Sequence, residues 1–312
     1  MKVLLHYAAG PAWQRDLAAL AAQGLDVECC DELDDARFHA LLPEADVLWH
    51  VLRPLSAGDV ARGAKLRLIQ KIGIGVNTIA LDAAKERGIA VCNMPGTNAR
   101  AVAEMALLLM LACLRRLPLL DRATRAGRGW QLAPDLQDSY GELAGRTVGL
   151  VGYGAVPQLL APILAAMGAT VLYTATAPKA ADGYRPLDAL LAAADIVSLH
   201  VPLTPATERM IGAAQIARMR PGAILVNTAR GGLVDPAALA AALRSGRLGA
   251  AGLDVFAAEP AGADDPLLAL DNVVVTPHLA WLTTGTLARS LGVAVENCRR
   301  LAAGETLLHR VV

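Results

Sequence analysis

The feature that most restricts the fold is an alternation in the second half of the chain, where short apolar runs of strand length are separated by helical patterns through residues 147–276. Strands are read at Thr147–Val151, Thr170–Tyr173, Ile196–His200, Ile224–Asn227, Gly252–Val255 and Val273–Thr276. Helices are read at Ala155–Met167, Leu187–Ala193, Ile211–Met219 and Pro236–Ser245. Apolar strands joined by helical crossovers run parallel, with helices covering both faces of the sheet. The expected product is a doubly wound α/β domain that receives ligands at the carboxyl ends of its strands.

A less regular alternation fills the first hundred residues, with strands at Lys2–Tyr7, Val47–Leu52, Leu66–Ile69 and Ile89–Cys92 and a helix at Pro11–Gln23. Ala99–Leu114 reads as a helix bridging the two regions, with Asn98 offering a cap. The last helix, Thr284–Ala303, follows the final strand with no evident partner, which leaves it able to return to the first domain and make that domain discontinuous. At 312 residues the chain is long enough for two domains sharing a cleft.

Charge and cysteine content narrow the partners. The formal net charge is zero and no dense Lys/Arg tract appears, so the electrostatic footprint of a nucleic-acid binder is missing. The longest apolar run, Met105 to Leu114, ends at Arg115-Arg116 and falls well short of the roughly 20 residues a bilayer needs. Cysteines 29, 30, 92, 113 and 298 show no metal-binding spacing, and their odd number fits a reducing, cytoplasmic setting. No metal site is expected.

Chemistry first appears at Gly152-Tyr153-Gly154, set between the apolar run Thr147–Val151 and the helical pattern beginning Ala155-Val156. Gly152 can make the tight turn, and Gly154 lets backbone N–H groups and the positive helix end approach a pyrophosphate. The same glycines would also serve a purely structural turn. Pro157 stands where the fingerprint's third glycine is usual, in a first helical turn that needs no donor there, and Pro162 deeper in the helix is expected to bend it. The strand ending at Tyr173 is followed by Thr174 rather than by the acidic residue that ordinarily holds a ribose 2′-hydroxyl. Thr174, Thr176 and Lys179 can meet a 2′-phosphate, although Lys179 can equally be a solvated loop residue. The reading is NAD or NADP, leaning toward NADP being accepted at least as well.

Three polar residues follow later strands: Arg230, Glu259 and His278. Singly, each has a mundane account as a surface pair, a turn cap or a satisfied histidine. Together they suit hydride transfer at an oxygen-bearing carbon. Arg230 can grip a substrate carboxylate bidentately and polarise the neighbouring carbonyl. His278 can give and take the proton on that oxygen, while Glu259 orients the ring and favours its protonated form.

With these residues in place, the chain resembles the D-isomer-specific 2-hydroxyacid dehydrogenases. The resemblance rests on the ordered series Gly73-Ile74-Gly75-Val76-Asn77, Asn93-Met94-Pro95-Gly96-Thr97-Asn98, Val102-Ala103-Glu104, Gly152-Tyr153-Gly154, His200-Val201-Pro202-Leu203-Thr204, Val226-Asn227-Thr228-Ala229-Arg230-Gly231, Leu253-Asp254-Val255-Phe256, Glu259-Pro260 and Thr276-Pro277-His278. It implies two Rossmann-like domains. One is a doubly wound cofactor domain over 99–285, through which a homodimer forms. The other is a discontinuous, flavodoxin-like substrate domain made of 1–98 and 286–312.

The resemblance makes Arg230, Glu259 and His278 the substrate-binding arginine, the orienting acid and the acid/base. It gives the substrate carboxylate to Ile74 and Gly75, with Lys71 beside them. Asp254, Thr228 and Ala229 fall near the nicotinamide, and His200, Val201, Pro202, Thr207, Arg230 and His278 join Gly152 to Val156 among the cofactor contacts. The implied reaction interconverts a small 2-oxoacid and its D-2-hydroxyacid with NAD(P)H, on glyoxylate, hydroxypyruvate or pyruvate-like compounds.

Departures from the family pattern are Pro157, Thr174, Asn77 in place of a common aspartate, and Trp281 where small residues are frequent. Trp281 can wall the substrate pocket or simply pack. Arg53 can bind a second anionic group or lie on the surface. Two neighbouring readings are weaker: phosphite oxidation, since Ile74 stands where that subtype carries a lysine, and a redox-sensing corepressor, since no recognition groove or extra tail is evident.

Overall fold

Near-continuous apolar runs become parallel strands in both halves of the chain. The computed structural model describes residues 1–312, the side chain of residue 135 excepted, and separates into two units, Met1–Asn98 with Thr283–Val312 and Ala99–Leu282.

In the first unit the chain runs β1 (Lys2–His6), α1 (Pro11–Ala19), β2 (Asp26–Cys30), α2 (Asp35–Leu41), β3 (Val47–His50), α3 (Ala57–Arg62), β4 (Leu68–Lys71), α4 (Leu81–Glu86) and β5 (Ala90–Cys92). The strands pair in parallel in the order β2-β1-β3-β4-β5. Leu4, Leu48, Ile69 and Val91 bury one face of this sheet with Phe38 of α2. All four residues of β3 are buried, as expected of a strand covered on both sides.

The helix Thr284–Ala303 completes this unit. Its start is capped by the Thr283 hydroxyl, which accepts from the Thr286 N–H, and its end by Gly304 in the left-handed conformation. Asn297 is fully buried; its amide donates to Gln70 Oε1 at 2.7 Å, and its own oxygen accepts from the Leu308 N–H at 2.8 Å. Beyond the helix, the Val311 N–H donates to the Val91 carbonyl at 2.7 Å and the Asn93 N–H to the His309 carbonyl at 3.1 Å, so the last residues run antiparallel beside β5.

The second unit runs α5 (Ala99–Leu114), α6 (Leu117–Arg125), β6 (Thr147–Val151), α7 (Ala155–Ala166), β7 (Thr170–Thr174), α8 (Leu187–Ala193), β8 (Ile196–Leu199), α9 (Ala213–Arg218), β9 (Ala223–Asn227), α10 (Pro236–Arg244), β10 (Leu248–Leu253) and β11 (Val273–Val275). The helix Thr284–Ala303 is therefore α11. The six parallel strands lie in the order β11-β10-β9-β8-β6-β7. Alternate residues serve opposite faces: Val148 and Leu150 pack with α5 and α7, while Val151 joins Leu199, Leu225 and Leu253 on the other side. The chain leaves β6 for β7 on one flank and returns to β8 on the other. Strand order thus reverses at β6, and the glycine turn that follows it opens at this switch point.

Several sequence expectations are corrected. Asn98 does not cap α5, because its side-chain oxygen is buried without a hydrogen-bond partner among the described residues. Helix α7 runs through Pro162 to Ala166, and the carbonyl that the proline deprives of a bond belongs to Gln158, an exposed residue. β10 begins four residues before Gly252, because Leu248–Ala251 already pair with β9. The short helices α2, α3 and α4, the edge strand β2 and the helix α6 are additional elements. No helix is long and apolar enough to cross a membrane, and among the described residues no cluster of three metal-ligating side chains occurs.

Candidate active site

In the second unit, the turn after β6 is held by glycine for a steric reason. Gly152 has φ of 101°, and a Cβ there would lie 2.7 Å from the His200 carbonyl oxygen. Its N–H donates to the Thr174 carbonyl at 2.9 Å, joining the carboxyl ends of β6 and β7. At Gly154, the N-cap of α7, a Cβ would meet nothing within 4 Å, so open space adjoins the first-turn N–H groups of Ala155 and Val156. Pro157 is buried in that same turn, where its missing N–H costs nothing. This cradle fits a pyrophosphate.

Other proposed cofactor contacts surround the same sheet edge. His200 follows β8; its Nε2 lies 2.9 Å from the Ser198 hydroxyl, and burial pushes its pKa down to about 4, so the ring is neutral at pH 7. The Thr207 hydroxyl is already engaged, donating to the Pro202 carbonyl at 2.7 Å and accepting from the Thr204 N–H at 2.8 Å. It shapes the loop after Val201-Pro202. Thr228, among the residues expected to line a nicotinamide, presents the opposite case, a buried hydroxyl without a partner among the described residues.

The loop after β9 is closed by Asn227, whose amide donates to the Arg230 carbonyl at 2.9 Å and whose oxygen accepts from the Ala229 N–H at 3.0 Å. Gly231 then touches the segment after β10 directly, since a Cβ there would stand 1.9 Å from the Phe256 carbonyl carbon. No side chain fits between them. This contact brings Arg230 into the electrostatic reach of Glu259. Burial lowers the Arg230 guanidinium from its ordinary value and Glu259 raises it, leaving it cationic at neutral pH.

Glu259 carries two bonds. Its Oε1 accepts from the Phe256 N–H at 2.9 Å, and its Oε2 lies 2.6 Å from His278 Nδ1. Burial would raise the Glu259 carboxyl, but His278, the Phe256 N–H and Arg230 together outweigh it and hold the group below the usual carboxylate range. With Nδ1 bound to Glu259, Nε2 is the ring atom left open for proton exchange. His278 itself adopts φ of 55°, fixed by its N–H donating to the Asp254 carbonyl at 2.7 Å.

Asp254 gains a role the sequence did not show. Fully buried just past the end of β10, its carboxylate accepts from the Thr276 hydroxyl at 2.6 Å and from the Leu279 and Ala280 N–H groups, each at 2.9 Å. It therefore shapes the loop that presents His278, whatever else it contacts. Trp281, next in that loop, is buried.

In the first unit, Ile74 is 44% exposed, and neither its N–H nor that of Gly75 meets a backbone acceptor among the described residues. The loop is pinned by the Asn93 amide, which donates to the Ile74 carbonyl at 3.0 Å. Lys71, at the end of β4, is buried and donates to the Val51 carbonyl, with His50 Nδ1 at 3.4 Å. Arg53 departs from the expectation of an anion ligand. Its guanidinium pairs with Asp35 and donates to the Glu32 carbonyl at 3.0 Å, while Glu32 Oε1 accepts the Leu52 and Arg53 N–H groups. No local pattern marks Glu32, because its partners lie some twenty residues away.

A family model described as D-isomer specific 2-hydroxyacid dehydrogenase, NAD binding domain, matches residues 107–280. The chain belongs to this dehydrogenase family. Among its relatives is a D-3-phosphoglycerate dehydrogenase of Mycobacterium leprae, 42% identical over 301 residues, which cover 94% of this chain and 56% of that protein. The chain thus spans just over half the length of such relatives. A hydroxypyruvate reductase of Thermotoga maritima is 39% identical over 271 residues, covering 84% of this chain and 86% of that one. Among solved structures, the TT0316 protein of Thermus thermophilus matches over all of both chains at 38% identity and a TM-score of 0.90. Family membership and the two parallel sheets agree on an NAD(P)-binding, Rossmann-like unit.

Proposed function

We propose that the chain catalyses reduction of a small 2-oxoacid to the D-2-hydroxyacid with NAD(P)H, and the reverse. The observation that carries this is the 2.6 Å contact of Glu259 with His278 Nδ1, which leaves Nε2 to serve the substrate oxygen. Gly152 to Val156 hold the pyrophosphate, and the Thr228 hydroxyl finds its partner on the nicotinamide side. The cofactor supplies the hydride. Arg230 grips the carboxylate and polarises the carbonyl, His278 donates the proton to its oxygen, and Glu259 balances the imidazolium charge. The N–H groups of Ile74 and Gly75 form a carboxylate cradle. Glyoxylate, hydroxypyruvate and pyruvate-like acids are the substrates this reading favours. Anaerobic turnover of a 2-oxoacid panel, with NADH and NADPH and with product chirality scored, tests it. D-products from small unphosphorylated acids are expected; L-products throughout, or no cofactor oxidation, would refute it.

We further propose a homodimer formed through the second unit. Leu159, Ile163 and Met167 form an i, i+4, i+8 stripe at 38–40% exposure along α7 and its C-cap, and Leu108 of α5 is 50% exposed. Sedimentation velocity should return twice the chain mass, and Ile163→Asp should shift the protein to the monomer. Parent protein sedimenting as a monomer at micromolar concentration would refute the dimer.

A further inference from the structure

Tyr173, the penultimate residue of β7, is 1% exposed, yet its hydroxyl is fully used. The Lys179 N–H donates to it at 2.9 Å, and its own proton is shared between the Lys179 and Ala181 carbonyls, each at 3.1 Å. Its backbone holds the far end of the same loop: the Tyr173 N–H donates to the Gly183 carbonyl at 3.0 Å, and the Arg185 N–H donates to the Tyr173 carbonyl at 2.8 Å. Residues 175–182 are thereby pinched by one tyrosine at both ends. On the other side, the Tyr173 ring lies 4.1 Å, centroid to centroid, from Tyr153 of the glycine turn. One residue thus joins the pyrophosphate turn to the loop that follows Thr174.

Position 174 is where a Rossmann domain tells the two dinucleotides apart. The Thr174 hydroxyl has no partner among the described residues, and residues 175–182 carry a single cation, Lys179. A buried tyrosine hydroxyl needs a hydrogen-bond partner, and this one takes both backbone groups of that one cation, with the Ala181 carbonyl beside them.

We propose that Tyr173 is a positioning residue for cofactor discrimination, holding the Lys179 backbone at the end of β7 so that its ammonium serves a ribose 2′-phosphate. This rests on the reading that NADP is accepted through Lys179. Loss of the hydroxyl removes its contacts with Lys179 and Ala181 and keeps the aromatic stack, so Tyr173→Phe isolates the clamp.

The test measures binding of adenosine 2′,5′-bisphosphate and of 5′-AMP by calorimetry to the full chain, in the parent, Tyr173→Phe, Lys179→Ala and the double variant. Tyr173→Phe should weaken the bisphosphate by about 2- to 10-fold, the scale of one hydrogen bond, and 5′-AMP by less than about twofold. Lys179→Ala should weaken the bisphosphate in the parent and add little in the Tyr173→Phe background. In turnover, KM for NADPH should rise by more than kcat falls. An unchanged bisphosphate-to-AMP ratio in Tyr173→Phe, or equal costs of Lys179→Ala in both backgrounds, overturns the clamp. An unchanged ratio in Lys179→Ala overturns the NADP reading beneath it, so the silent variant identifies which idea fails.

Discussion

Substitution of His278 by Ala is expected to lower kcat/KM toward 2-oxoacids by about 10²- to 10⁴-fold, the usual contribution of a placed general acid–base group. The dissociation constant for NADH, read from its fluorescence, should move only a few-fold, because the pyrophosphate turn lies after β6 and not in the His278 loop. Glu259→Gln should give a smaller loss and a changed pH–rate profile, since the amide can still accept from Nδ1–H but no longer balances an imidazolium. Near-parent turnover in His278→Ala would remove the residue from the mechanism. Unlike the substrate panel, this comparison does not depend on knowing the natural acid, because any accepted 2-oxoacid reports the lost proton transfer.

The second large effect concerns acid. Burial, with the charge of Arg53 behind it, pushes the His6 pKa down to about 4, and burial does the same at His200; His50 is depressed well below its ordinary value by burial and then by Lys71. An unfolded histidine takes a proton near pH 6.5. Between about 6.5 and 4 the unfolded chain therefore binds more protons than the folded one, and stability falls as pH drops through that window. For His200, a depression of this size corresponds to roughly 3 kcal/mol when the window is fully crossed. Denaturant midpoints followed from pH 7 to 4 should decline steeply, and His6→Leu should make the decline shallower. A flat profile would show that these rings are not held neutral.

The second unit is the more legible half because its strands are buried on both faces and read as unbroken apolar runs. Thr147–Val151, Leu187–Ala193 and Ala99–Leu114 have the same bounds in the sequence pattern and in the fold, as does Thr284–Ala303 of the first unit. β2 is hidden from the pattern because an edge strand can carry Asp26 and Glu28 to water, which erases the apolar signal. α6 is hidden because none of its residues is buried. At the site, Arg230, Glu259 and His278 stand out as polar residues following apolar runs. Their supports do not: Asp254 reaches Ala280, and Arg53 finds Asp35, only through the fold. A side chain's type can be read locally, but its hydrogen-bond partner twenty residues away cannot.

The return of α11 to the first sheet also fixes an order of events on the ribosome. Residues 99–282 form a continuous stretch with both faces of its sheet covered by its own helices, so this unit can close as soon as it has emerged. The first unit is synthesised earlier but must wait for Asn297 to satisfy Gln70 and for residues 309–312 to line β5. Of the two units, the one begun earlier is the one finished later, and nascent chains halted before α11 should carry a protease-resistant core from the second unit alone.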